Sequence, residues 1–491
     1  MTGHSDVLAV LRQRPDLARL AAGSFDFDLD RVEHVEEVRL ASGAPLTAVA
    51  GDDTGGTYFV CAGGAVLYAS SEGEAGLIGA SMDEALEILF GLPGWYDYID
   101  LEADDQAVEE AFARTEDEIR SSYAPRLDVD RSTLLDGLGL RQLPKRELLR
   151  RLQGALLRTE PEFLLLNTDE ACAYALLDHL DRPPLWQAVL APGQVDLARM
   201  RADREIADDP VRRATVLRAA QYDRQAADLQ LLRLLLQHEA RSGATEELRL
   251  AAVLVGLHGQ ADDHLLLDSL RKANPDVHFL LGGFPDSAEA LARWAADFDS
   301  SNYGQDPHDE NDLTWTALAR RQGQHELARC ALIRMLDDAG PFDEILLGSL
   351  AREFETLGDL TQAIRARGLH ASLQDDAGKR GVALTSLASL QRRGGEVAAA
   401  WQSLQQAVAV LDAGPPQPPS PAITWREVGL GLRVTEEHFL ITQAAAHLGL
   451  TDLAQEALES GQAILDSLRS PGDRLRHQAA VATATQTGGR R

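Results

Sequence analysis

With 491 residues the chain is too long for one core, and length alone divides it into two to four domains. Its net charge of −30 argues against nucleic acid as a direct partner, because phosphate binding needs clustered lysine and arginine. The longest apolar run, residues 250–257, is far too short for a membrane span. The opening fourteen residues, with Asp6 and one short apolar run, do not make a signal peptide. Cys61, Cys172 and Cys330 lie far apart with no C-x-x-C spacing, which implies a reduced compartment. A cytoplasmic protein is expected.

In chain order, residues 5–22 read as short helices broken at Pro15. From Val35 the pattern turns to β-prone runs at 35–40, 46–50, 57–62, 65–70 and 76–79, each bounded by Gly, Asp or Ser. Ser81 with Glu84 three residues on is a capping box, so a helix runs from there through Phe90 until Pro93 stops it. Trp95, Tyr96 and Tyr98 are expected to pack back on the sheet. Beyond Asp104 no strand pattern of similar quality appears. Residues 104–122 form a charged helix, and 145–158 a basic one. Leucines at 229, 232 and 236, and further sets between 244 and 300, continue the helical spacing.

Charge is unevenly placed. Residues 1–130 hold 27 acidic and 8 basic side chains, a balance of −19, and the rest hold 50 and 39, a balance of −11. Residues 40–113 carry fourteen carboxylates and no lysine or arginine. Such a region attracts and steers a basic protein surface. Solubility is the simpler account of acidity in general, and turn chemistry explains aspartates such as Asp52 and Asp53. Turn chemistry does not explain the lack of counter-ions over so long a stretch.

The last third repeats. Gly323, Gly358, Gly395 and Gly449 each separate two helical runs, at intervals of 35, 37 and 54 residues. Ala328, Ala363, Ala400 and Ala454 follow five residues later each time. Glycine turns the chain between antiparallel helices, and alanine permits their close crossing. Such pairs bury their apolar faces by stacking. The longest interval contains the Pro-rich segment 414–421, read as an inserted extended spacer.

Two resemblances follow. Leu350-Ala351-Arg352-Glu353-Phe354 with Gly358-Asp359-Leu360-Thr361-Gln362-Ala363-Ile364 resembles a tetratricopeptide repeat. So does Leu387-Ala388 with Gly395-Glu396-Val397-Ala398-Ala399-Ala400-Trp401 and Ala407. Met335, His370 and Gly461 stand where the repeat has its later alanine. The resemblance covers about 313–470 and implies a protein-binding surface. Near the N-terminus, Gly51-Asp52, Gly55-Gly56-Thr57-Tyr58-Phe59, the run 66–68, and Ile78 leading into 81–89 look like the SUKH superfamily of small α+β domains. That resemblance implies an immunity-type domain that binds and blocks a secreted toxin in bacteria.

Chemistry-bearing patterns are sparse. Residues 51–57 read G-x-x-x-x-G-T but lack the lysine of a phosphate loop. Ser70 and Ser71 have no nucleophile elbow around them. His238-Glu239 and His325-Glu326 lack the second histidine of a zinc helix. His258, Asp262, Asp263 and His264, with His278 nearby, form the most metal-like grouping, although acids and histidines at helix starts are commonly caps. Residues 306–312 read as a solvated acidic connection rather than a calcium loop. The basic 145–158 helix is a solvated face first, a surface docked on the chain's own acids second, and a nucleic-acid surface last. No cofactor, no metal and no catalytic activity are expected.

The sequence therefore predicts an α+β N-terminal domain, a small mostly antiparallel sheet with flanking helices, followed by a mainly α helical-repeat region. The expected division is 1–103 acidic α+β, 104–310 helical, 311–470 helix pairs with the 414–421 insert, and 471–491 a frayed tail. The expected function is non-enzymatic binding of a basic protein such as a toxin, through Asp52, Asp53, Tyr58, Tyr68, Glu72, Glu74, Trp95 and Tyr96. The alternative is a regulatory or scaffolding adaptor in which the helical repeats recognise a protein partner.

Overall fold

The computed structural model of the protein describes residues 7–103, 106–203, 208–413, 424–427 and 429–488, so the Pro-rich 414–421 segment lies outside the described residues. It is 67% helical, with a small N-terminal sheet followed by many helices. The chain divides into two compact units, neither of them contiguous.

The first unit comprises Met1–His34, Ala44–Phe163 and Leu176–Ala331. Helices α1 (Val7–Gln13) and α2 (Pro15–Phe25) precede β1 (Val38–Leu40), which belongs to the second unit. Strands β2 (Leu46–Gly51), β3 (Thr57–Cys61), β4 (Val66–Ala69) and β5 (Glu74–Gly79) pair antiparallel in sequence order. Tyr58 sits opposite Tyr68 and Phe59 opposite Leu67. Helix α3 (Met82–Gly91) starts at Ser81, whose Oγ accepts the Glu84 N–H, while the Glu84 carboxylate accepts the Ala80 N–H. It packs on β5 and on α6 (Lys145–Leu156), beside α4 (Ala107–Ser122) and α5 (Leu127–Leu138). Leu86, Ile88, Phe90, Leu149 and Leu152 fill the core between sheet and helices. Tyr98 packs edge-on against Phe112 of α4 at 4.8 Å rather than on the sheet.

Residues after 104 do contain strands, contrary to the sequence reading. β6 (Leu165–Asn167) pairs with β1, and β7 (Ala175–Leu176) joins β5 at the edge of the sheet. Both are too short to show an alternating pattern. The 35–40 run is consequently not part of the acidic sheet.

The rest of the first unit is helical: α7 (Leu185–Asp203), α8 (Pro210–Tyr222), α9 (Leu229–Ser242), α10 (Glu246–Gly256), α11 (Ala261–Ala273), α12 (Pro275–Leu280), α13 (Leu291–Asn302) and α14 (Asp312–Arg321). α10 is buried all round, and Leu250, Ala251, Val253 and Val255 are fully enclosed. That explains its unbroken apolar run. Arg213 and Glu239 form a buried ion pair at 2.6 Å.

The second unit comprises Val35–Gly43, Leu164–Ala175 and Leu332–Arg491. Helix α15 (His325–Asp337) straddles the division, and α16 (Glu344–Leu357), α17 (Leu360–Ser372), α18 (Ala377–Arg393), α19 (Val397–Ala413), α20 (Gly429–His447), α21 (Thr451–Ser467) and α22 (Asp473–Gly488) follow. From α16 to α21 each helix packs on the next. The β1–β6 ladder is tied to them by Gln362 Nε2 donating to Ala171 O at 2.7 Å and by Asp337 accepting the Ala173 N–H at 3.0 Å. Gly323, Gly358, Gly395 and Gly449 all have positive φ, between 74° and 87°. After Gly358, the Asp359 N–H reaches back to Phe354 O at 2.9 Å, and the other three turns repeat this six-residue bond. The four alanines that follow have no exposed surface. The 473–488 segment is a helix rather than a frayed tail, because Leu475, Ala479 and Ala482 recur at helical spacing and bury against Phe439 and Leu465.

Candidate functional site

A cavity of about 380 Å³ opens in the first unit where two hairpin turns meet the ends of three helices. Its frame is set by the turn between β2 and β3. Asp52 Oδ1 accepts the Thr54 and Gly56 N–H groups and the Thr54 hydroxyl, each at 2.8 Å, the Asx-turn chemistry that aspartate supplies. Its Oδ2 accepts the Tyr68 hydroxyl at 2.6 Å. Gly56 is obligatory here, since a Cβ would overlap the Tyr68 oxygen. The β4–β5 turn is held by Ser70 Oγ, which accepts the Glu72 and Glu74 N–H groups at 3.3 and 3.1 Å. Ser71 donates to Thr54 O at 3.0 Å and joins the two turns.

The walls are aromatic. Tyr58 and Tyr68 rings lie 5.0 Å apart, Trp95 meets Tyr68 edge-on at 5.2 Å, and Tyr96 follows Trp95 at 5.6 Å. Phe25 and Tyr123 complete the lining. Burial raises the Tyr58 and Tyr68 hydroxyls well above the ordinary range. Tyr96 is pushed up to about 12 by burial and by its hydrogen bond to Glu74.

Asp26 is the residue the sequence reading missed. It caps α2 in the left-handed conformation, φ 51° and ψ 42°, where glycine is usual. That conformation belongs to the stretch of chain that lines the cavity. Among the described residues its carboxylate has no hydrogen bond or ion pair. Burial, reinforced by Asp53 and Asp52, raises it to about 6, with Arg31 pulling the other way. The one signal for it in the sequence was an acid in a helix-ending position that lacks glycine.

Of the eight expected binding residues, Asp52, Tyr58, Tyr68, Glu72, Glu74, Trp95 and Tyr96 line this cavity together. Asp53 does not: it turns outward and pairs with Arg31 at 2.8 Å. Arg31 also holds Asp28 and the Asp52 carbonyl. Of the fourteen carboxylates in 40–113, Glu87 and Glu109 are likewise neutralised, by Arg141 at 2.9 Å and Arg146 at 2.7 Å. Lys145 reaches Glu116 at 2.7 Å, so Lys145 and Arg146 of the basic helix dock on the chain's own acids, while Arg150 stays largely exposed. Asp26, Asp52, Glu72 and Glu74 form no ion pair with any described residue.

Unpaired carboxylates among aromatic faces suit a cation, attracted by charge and by the ring quadrupoles. The cavity lining holds no histidine, cysteine or lysine; Ser70 and Ser71 are engaged in turns, and Ser24 donates to Asp130 Oδ2 at 3.0 Å. Elsewhere, Asp263 is taken by Arg233 at 2.5 Å and His264 by Pro285 O at 3.0 Å. Asp263 and His264 of the 258–264 grouping are thus engaged elsewhere, and no metal-like cluster occurs among the described residues. No described helix is long and apolar enough to cross a membrane. No family model, curated protein or solved structure matches the chain.

Proposed function

We propose that the protein is a non-enzymatic binding protein whose N-terminal acidic domain receives a lysine or arginine side chain from a basic protein partner. The observation that carries this reading is the aromatic-walled cavity, lined by the unpaired carboxylates of Asp26, Glu72 and Glu74. Its volume suits one long cationic side chain rather than a folded segment. Charge steers the approach, and the desolvated aromatics supply affinity. The likeness to SUKH domains favours an immunity-type role in which a toxin is occluded. The test is a titration of the full-length protein with an arginine-containing basic peptide, followed by fluorescence anisotropy. Affinity should fall steeply as salt rises and by tenfold or more in Asp26→Asn and Glu74→Gln. Absence of binding, or binding indifferent to salt, overturns the reading.

A second reading rests on the helix pairs of the second unit, which resemble tetratricopeptide repeats in their glycine turns and buried alanines. At the start of α16, Phe342 is 98% exposed and Ile345 86% exposed, an apolar pair of the kind a protein partner covers. An adaptor working through this surface would keep its partner in Asp26→Asn and lose it in Phe342→Ser.

A further inference from the structure

In a chain that is strongly acidic overall, the second unit contains arginines that form no ion pair with any described residue. Arg367 on α17 makes no hydrogen bond or ion pair among the described residues, and its Nε is buried without a partner. The side chain is half-buried. Among the described residues, Arg352 on α16 donates only to Ser349 Oγ, at 3.2 Å, and Arg433 on α20 only to Ser386 Oγ, at 3.4 Å. Glu355, the acid closest in sequence to Arg352 on the same helix face, is engaged by Arg393.

Helix geometry brings Arg352, Arg367 and Glu355 to one place, and Arg433 is held by Ser386 of α18, the helix packed on α17. The His370 ring lies 3.2 Å from where a side chain at Gly348 would begin, which sets α17 against α16 at that level. Arg367 is one turn back from His370, and Arg352 and Glu355 are one and two turns on from Gly348. In an antiparallel pair those turns coincide. Arg352, Glu355 and Arg433 all act electrostatically on Arg367, and the two arginines oppose its charge. Burial, Arg367 and Arg352 together hold His370 below its ordinary value. His370 Nε2 faces the Gln374 amide at 3.3 Å, while its Nδ1 is buried with no partner.

Like charges brought together cost stability, and here the one carboxylate acting on Arg367, Glu355, is shared with Arg393, so positive charge is in excess and suits a ligand of opposite charge. We propose that Arg352, Arg367 and Arg433 form a binding site for a phosphate-class oxyanion. Three guanidiniums match the charge and the planar hydrogen-bonding pattern of a dianion better than those of a lone carboxylate. The oxyanion has two possible sources, free phosphate or a phosphate ester on a partner peptide. The inference is independent of the cationic-side-chain reading, since it concerns other residues in the other unit.

Thermal unfolding of the full-length protein tests it, with inorganic phosphate compared against chloride at equal ionic strength. Phosphate should raise Tm by about 2–4 °C. A phosphoserine peptide and its serine counterpart identify the source: a shift with the phosphopeptide at far lower concentration than with inorganic phosphate assigns a peptide ester. Arg367→Met should unfold at an equal or higher temperature than wild type in chloride, because it removes an unpaired charge, and should lose the phosphate shift. Arg352→Gln/Arg433→Gln, both at exposed positions, should lose it while keeping the chloride Tm. No phosphate-specific shift in wild type, or equal shifts in wild type and both variants, overturns the proposal. A larger shift with a glutamate peptide than with the phosphopeptide also overturns it.

Discussion

The Tyr68 hydroxyl donates to Asp52 Oδ2 at 2.6 Å, and that one bond couples the middle of β4 to the turn that frames the cavity. With Thr54 and Gly56 on its other oxygen, the buried Asp52 carboxylate is fully satisfied. Tyr68→Phe removes one donor and leaves a buried charge short of a partner, so it should cost about 2 kcal/mol in urea unfolding. Gly56→Ala, which forces a methyl onto the same oxygen, should cost ~2–3 kcal/mol. If both variants unfold like wild type, the turn is not held this way.

Asp26 gives the first unit a pH signature. Its folded value of about 6 lies above the ordinary 3.8, so the folded state holds the proton more tightly than the unfolded chain. The associated stability is fully present below about pH 3.8 and is lost as pH rises through about 6. Asp26→Asn should flatten the stability profile across that window, as read by Tm from pH 3.5 to 7.5. Binding of a cation needs the ionised form, so wild-type affinity for the basic peptide should rise over the same interval and that of Asp26→Asn should not.

His438 has the opposite sign. It is buried beneath Trp401, with its Nδ1 2.8 Å from Val434 O and its Nε2 3.1 Å from Ser460 Oγ. Burial lowers it to about 4 from 6.5. The unfolded chain takes up the proton first, so stability is lost as pH falls from about 6.5 to about 4. The loss is at most about 3 kcal/mol by the size of the shift. His438→Gln should remove that slope from equilibrium unfolding measured between those pH values.

Gly358 closes α16 at φ 79° with open space where a side chain would go. Gly358→Ala therefore tests conformation alone and should cost ~1–2 kcal/mol. Gly358→Asn should recover part of that loss, because asparagine tolerates the left-handed region. An alanine variant as stable as wild type would show that the turn has another way to form.

Local rules carried much of this fold. The four hairpin strands from 46 to 79, the Ser81 cap and the glycine–alanine spacing of the helix pairs are short-range signals, each legible from neighbouring residues. Seven of the eight binding candidates share one cavity, since adjacent turns of a meander necessarily cluster. What escaped was non-local. Asp53 reads like Asp52, but only the fold shows that Arg31 claims it. Asp26 lies far upstream of the turns it joins. The three residues of β6 have no pattern until β1 pairs with them, and the tail helix shows its weak apolar face only once Phe439 covers it.

The β1–β6 ladder joins Val38 to Asn167 within a unit whose helices begin only at residue 332. The two units are thus interleaved along the chain, and no single cut separates them. A fragment ending near residue 331 would carry both strands of the ladder without the helices they serve. During synthesis, the same strands emerge from the ribosome long before their support exists. Dissection of this protein therefore calls for point substitutions, and truncation would report on damaged folding rather than on lost recognition.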